Sequence, residues 1–144
     1  MRDLKAGLII KSTDALIDSI FEDTTILIVK HDNEGTTGFV TNKPLNKSLH
    51  ELIEFNHSKT YPLMDGGPVD NDHLFVIHNR PDIITEGEKI YRGFYLGGKM
   101  KDVIEAINAN GENEQEIQLF IGYCGWDEGE LEAEIEEGSW AISY

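Results

Sequence analysis

Four aliphatic residues in a row, Ile26-Leu27-Ile28-Val29 within TTILIVKHD (Thr24 to Asp32), constrain this chain more than any other stretch. Successive side chains of a strand point to opposite faces, so the run is apolar on both and has to be covered on both. That is the mark of a central strand. HLFVIHN (His73 to Asn79) is a second run of this kind, and GLIIKS (Gly7 to Ser12) reads as the strand that opens the fold.

Turn and cap signals divide the rest. DNEG supplies a turn after the first central strand, and TTGFVTNKPL (Thr36 to Leu45) returns as its antiparallel partner, stopping at Pro44, which has no N–H to offer a ladder. DALIDSIFED reads as a turn or a single helical turn. Ser48 caps a short helix with Leu49, Leu52, Ile53 and Phe55 as its apolar stripe. YPLMDGGPV is extended, KIYRGFYLGG is one strand, and KMKDVIEAINANG is a helix with Val103, Ile104 and Ile107 inward and Asn110-Gly111 as its stop.

In EIQLFIGYCGW, strict alternation puts Ile117, Leu119, Ile121 and Tyr123 on one face, with Phe120, Gly122, Cys124 and Trp126 on the other. A last helix follows, with Asp127 as N-cap, Glu130 completing a capping box, and Leu131 and Ile135 buried. SWAISY closes as a strand. No repeat, linker or low-complexity tract interrupts the pattern. The sum is one α+β domain whose sheet is mixed and mostly antiparallel, flanked by short helices.

At 144 residues the chain can bury roughly two-thirds of its unfolded surface, so it needs neither disulfide nor metal to fold. Its one cysteine, the broken apolar run at the N-terminus and the lack of a spanning segment point to the cytoplasm, without membrane attachment. Twelve basic residues against 27 acidic ones give a formal charge of −15, and after Lys101 there are twelve carboxylates and no Lys or Arg. Such a surface repels phosphate backbones, which argues against direct nucleic-acid binding. Basic protein partners, divalent cations and neutral small molecules remain compatible with it.

Familiar catalytic motifs fail on chemistry. GFYLGGKM (Gly93 to Met100) imitates a phosphate loop but puts Met where a magnesium-binding hydroxyl belongs. No HExxH or clustered Cys/His spacing marks a metal site. His31 and His78 sit at strand ends that could converge if the strands are neighbours, while His73 and His78, five apart, face opposite ways. Cys124 has no nearby His or Lys in sequence and reads as a small buried hydrophobe. The outward carboxylates of the last helix, Glu128, Glu132, Glu136 and Glu137, form like-charge pairs and crowd the negative end of the helix dipole. Solvation is their plainest explanation, and a cation or a basic partner the sharper one. The spacing of a calcium-binding EF-hand loop is absent.

Four blocks in order resemble the AlgH/YqgE family. HDNEGTTGFVTNKPL is similar to its H-N-x-x-G-A-x-G block ending in N-R-P-L, DGGPV to its G-G-P-V, LFVIH to its phenylalanine-and-histidine strand, and GYCGWDEGELEAEI to its G-Y-A-G-W-x-x-G-Q-L-E-x-E-I. The resemblance spans nearly the whole chain and implies one AlgH/YqgE-like domain over residues 1–144, of α+β fold, in a bacterial group described as uncharacterised or as candidate transcriptional regulators. It implies no catalytic residues and no cofactor. Lys43 stands here for the family's Arg, Cys124 for Ala, Glu130 for Gln and Gly138 for Asn, and Gly97-Gly98-Lys99 replace Thr-Thr-Ser.

Three functional expectations result. The first is a non-enzymatic regulatory or binding module acting through protein partners, with any effect on transcription indirect. The second is a small-molecule receptor or enzyme built where TGFVTNKP, GGPV and GYCGW converge, with His31, Asn42, Lys43, His78, Tyr123 and Trp126 as the ligand-binding groups. Cation binding by the acidic helix is a third expectation, with no resident metal or cofactor assigned.

Overall fold

The computed structural model describes residues 4–110 and 115–143. Thr25–Asp32 (β2) is central, flanked by Ile9–Ser12 (β1) and Gly35–Val40 (β3), both antiparallel to it. Its apolar run divides as a doubly covered strand requires: Leu27 and Val29 enter one cluster with Phe39, Ile26 and Ile28 another with Ile10. After β3, Pro44–Ser48 (β4) and Pro62–Asp65 (β5) pair with each other. Val69–His78 (β6), a hairpin of Glu88–Tyr91 (β7) and Phe94–Leu96 (β8), and helix Met100–Asn110 (α1) come next. Ile117–Trp126 (β9), Glu130–Glu136 (α2) and Trp140–Ser143 (β10) complete the described elements.

One sheet runs β10-β1-β2-β3-β9-β6-β8-β7, with β4 and β5 attached beside β9. Its pairings are antiparallel except β5 on β9. One face carries Leu27, Val29, Phe39, Ile77 and Phe120, with the Phe39 and Phe120 rings 5.0 Å apart. The opposite face is covered in two places. Val103 and Ile107 of α1 pack over Val76, Ile117 and Leu119, and Leu131 of α2 packs over Ile26, Ile28, Cys124 and both tryptophans. Ile104, the third expected inward residue of α1, is half-buried. The Gly111 half of its stop signal lies outside the described residues.

Several expectations are corrected. Pro44 does not end the extended chain but begins β4, on the rim of the sheet where a missing N–H costs no ladder bond. KIYRGFYLGG is the hairpin β7-β8, turning at Arg92 (φ 44°) and Gly93 (φ 83°), the doubly positive pair of a type I′ turn. The expected helix after Ser48 is two 3₁₀ turns, Leu49–Glu51 and Ile53–Phe55. Ser48 N–H donates to the Glu51 carboxylate at 2.5 Å, while Ser48 Oγ turns to the backbone of Tyr61. The break at Leu52 scatters the apolar stripe: Leu49 is buried and Ile53 is 88% exposed.

Alternation along β9 also fails, at Gly122 (φ 77°). Beyond it, Tyr123 joins Phe120 and Phe39 instead of Ile121, while Cys124 and Trp126 join the cluster under α2. The last helix begins at Glu130 with Gly129 as its N-cap, so Asp127 lies outside it. The Asp127 N–H still donates to Glu130 Oε1 at 3.3 Å.

Candidate functional site

The GGPV and GYCGW motifs meet backbone on backbone. Val40 N–H donates to the Gly66 carbonyl at 2.9 Å and Gly66 N–H to the Ile121 carbonyl at 2.8 Å, so Gly66 continues the edge of β9 where β5 gives way to β3. A Cβ on Gly122 would lie 2.2 Å from the Gly67 carbonyl oxygen, and one on Gly67 2.3 Å from that of Tyr123. Only glycine permits this crossing, which explains both motifs as packing. Cys124 is buried beside it with Sγ 3.6 Å from the Gly66 carbonyl. Burial, with a smaller contribution from Asp65, pushes its thiol up to about 12, which leaves it an unreactive hydrophobe.

Outside this crossing is a shallow groove of about 400 Å³, lined among others by Lys30, Thr36, Val69, Tyr123, Trp126 and Asp127. Three motif blocks therefore do share one concavity, and Tyr123 and Trp126 of the expected ligand set line it. His31 lies next to it: Nδ1 is hydrogen-bonded to Thr36 Oγ1 at 2.7 Å, and Nε2 is 3.7 Å from Glu132 Oε2. The chain Thr36–His31–Glu132 has the residue types of a nucleophile, base and carboxylate. However, Thr36 is 4% exposed and occupies the position of the alanine in the H-N-x-x-G-A-x-G block, so the hydroxyl is not part of that pattern.

The other expected ligand residues are elsewhere. Asn42 accepts from Thr25 N–H at 3.0 Å and donates to the Asp23 carbonyl at 2.9 Å, and Lys43 Nζ donates to the Glu22 carbonyl at 3.1 Å. Both fasten the segment entering β2. His78 is separated from His31 because β3 and β9 lie between their strands, and the two imidazoles do not converge. It is fully buried and stacked on Tyr95. Its Nδ1 accepts from Arg80 N–H at 3.1 Å, which leaves the proton on Nε2, where no described residue completes a hydrogen bond. Burial holds this imidazole below the ordinary histidine range, against smaller upward pulls from the Gly97 backbone and Asp82. His73 is exposed, in a part of β6 where the register against β9 is irregular.

The carboxylates expected to face outward on the last helix are not equivalent, and Glu128 precedes α2 while Glu137 caps its end. Glu128, Glu136 and Glu137 are exposed, but Glu132 is half-buried toward His31. Sequence reasoning missed Glu134, whose Oε1 accepts from both indoles, Trp126 Nε1 at 3.1 Å and Trp140 Nε1 at 3.0 Å. The signal was present, because two buried tryptophans flanking an acidic helix need acceptors for their N–H groups.

A second, larger concavity of about 770 Å³ went unmarked in the sequence. Leu45, Leu52, Ile53, Phe55, Leu74 and Met100 are among its lining, and Ile53 is highly exposed. Glu51, Glu54 and Asp72 also border it, with Lys47 and His73. Asp70, Asp72 and His73 bring ligand atoms within 4.8 Å of one another, all on exposed side chains, and Asp72 pairs with His73 at 3.1 Å. This cleft is missed because the 3₁₀ break at Leu52 and the excursion of β6 between Val69 and Leu74 assemble it, and neither is written in hydrophobic periodicity.

Fold and site together define a mostly antiparallel α+β domain in which Gly66, Gly67 and Gly122 serve the crossing of its strands. The chain belongs to the AlgH-like family (DUF179), whose profile matches residues 8–144. Among its relatives, a UPF0301 protein of Chlorobaculum tepidum is 37% identical over 137 residues, covering 95% of this chain and 73% of the relative. One of Bacteroides thetaiotaomicron is 33% identical over 138 residues, covering 95% and 70%. The solution structure of the AlgH protein from Pseudomonas aeruginosa matches with a TM-score of 0.74 at 24% identity over 99% of this chain and 80% of that one. A crystal structure of a Corynebacterium diphtheriae protein matches at 0.75 and 18%, over 99% and 76%. These likenesses establish the fold. Among the described residues, no helix is long and apolar enough to cross a membrane.

Proposed function

We propose that this chain is a binding module that acts through a protein partner, with any influence on transcription indirect. The observation that carries this reading is the 770 Å³ cleft with Ile53, 88% exposed, in its lining. A large apolar side chain left this exposed in the lining of an open cleft is the kind of surface that a protein partner covers. The residues with reactive potential have structural employment instead: Cys124 is sealed under the Gly66 carbonyl, His78 is buried, and Asn42 and Lys43 hold a turn. The charge of −15 supports the indirect route to transcription, since it disfavours a phosphate backbone.

The test is quantitative co-purification of wild type and Ile53→Asp from cells that make the protein naturally. A partner retained by the wild type and lost from the variant supports the reading. Identical partner sets in both remove the cleft from it.

The motif groove favours a second reading, a small-molecule receptor, because Thr36, Val69, Tyr123 and Trp126 reach it from three separate motif blocks. Native mass spectrometry of the freshly purified protein checks it. A bound species lost from Tyr123→Ala supports the receptor, and a bare chain mass opposes it.

A further inference from the structure

Building on the partner-binding reading, we infer that the cleft takes a segment of another protein that presents apolar side chains flanked by Lys or Arg. The lining supplies the first half of that description. Leu52, Phe55, Leu74 and Met100 offer apolar surface in the recess, and Ile53 extends it outward. Ile53 and Phe55 come from the second 3₁₀ turn, Leu52 from the break before it, Leu74 from β6 and Met100 from α1, so elements distant in sequence jointly support the recess.

Charge supplies the second half. Glu51, Glu54 and Asp72 border the cleft, and Asp70 stands beside Asp72; among the described residues Lys47 is the only lysine in the lining. All four carboxylates are exposed; Glu51 is partly committed, since it accepts the Ser48 N–H, and Asp72 is paired with His73. Rim carboxylates of one sign steer an oppositely charged partner and reject a like-charged one. A second copy of this chain fits poorly, because each copy carries −15 and would bring the same acidic rim against its neighbour. An apolar segment without cations would leave the carboxylates facing it with nothing gained.

The probe is a fluorescent peptide of about 14 residues, rich in Leu and Lys, with Leu→Ser and Lys→Glu counterparts, titrated against the full chain. The protein variants are Ile53→Asp, the pair Glu54→Lys with Asp72→Lys, and Glu136→Lys as a charge change on the exposed end of α2 far from the cleft. All four sites are exposed, and a thermal melt of each variant checks that it folds. The Leu/Lys peptide is expected to bind the wild type and to weaken about tenfold with either cleft variant, while Glu136→Lys changes affinity less than about twofold. Raising salt from about 50 to about 300 mM should weaken the wild-type complex severalfold. Equal loss from Glu136→Lys would mean general acidity and overturn the inference. Equal binding of the Lys→Glu peptide, still sensitive to Ile53→Asp, would overturn the inference but leave the partner-binding reading standing. Indifference of every peptide to Ile53→Asp would remove both.

Discussion

Trp126 and Trp140 donate their indole N–H groups to the same oxygen, Glu134 Oε1, with their rings 6.1 Å apart and nearly perpendicular at 87°. One strand end, one helix and the closing strand are thereby tied at a single atom. The acidic helix carries the acceptor that two buried tryptophans require, which partly offsets the repulsion among its exposed carboxylates.

Removing that acceptor leaves both indoles unpaired. Glu134→Leu should cost on the order of 3 kcal/mol, and Glu134→Gln, which keeps one carbonyl oxygen, about 1 kcal/mol. Urea unfolding followed by tryptophan fluorescence measures both. Equal stability of the Leu variant and the wild type would dismiss the clamp as a contributor.

The glycine crossing has little tolerance. Gly122→Ala places a methyl 2.2 Å from the Gly67 carbonyl on a backbone already at φ 77°, and should destabilise the fold on the order of 4 kcal/mol or abolish it. Gly129→Ala, where a Cβ meets nothing within 4 Å, isolates the cost of positive φ alone and should lose only about 1 kcal/mol. Thermal melts of the two variants side by side give the comparison.

Cys124 should resist alkylation in the native state at pH 8, where its thiol, pushed up to about 12, holds little thiolate and is buried. Labelling should appear only on unfolding. Rapid native labelling would show that the sheet opens locally at β9.

His78 gives the fold a pH dependence whose sign is fixed. Its folded pKa lies below the ordinary 6.5, so between the two values the unfolded chain binds more protons. This contribution to stability is fully present above pH 6.5 and is lost as pH falls through that window toward the folded pKa. Denaturant titrations of wild type and His78→Gln across the range should show a shallower acid-side slope in the variant.

The parts of the fold legible in the sequence were those set by local periodicity. Ile26 to Val29 declared a doubly covered strand, and Val103 with Ile107 the inward stripe of a helix. The misreadings fell where tertiary contacts decide the backbone. Gly122 reverses the facing of Tyr123 because another chain segment crosses it, and Arg92 takes a positive φ that few sequence signals announce. The site followed the same division. Tyr123 and Trp126 do share a groove, as their motif suggested, yet Asn42 and Lys43 serve a turn and His78 is shut away. The larger cleft depends on Ile53, whose exposure follows from a break between two 3₁₀ turns.

The central claim is that this cleft is a protein-docking surface. Its most direct test is site-specific photo-cross-linking in living cells, with a benzoylphenylalanine placed at position 53 and, as control, at position 136. The account predicts a discrete protein adduct from position 53 that is absent from position 136. No adduct at 53, or the same adducts at both positions, would contradict it.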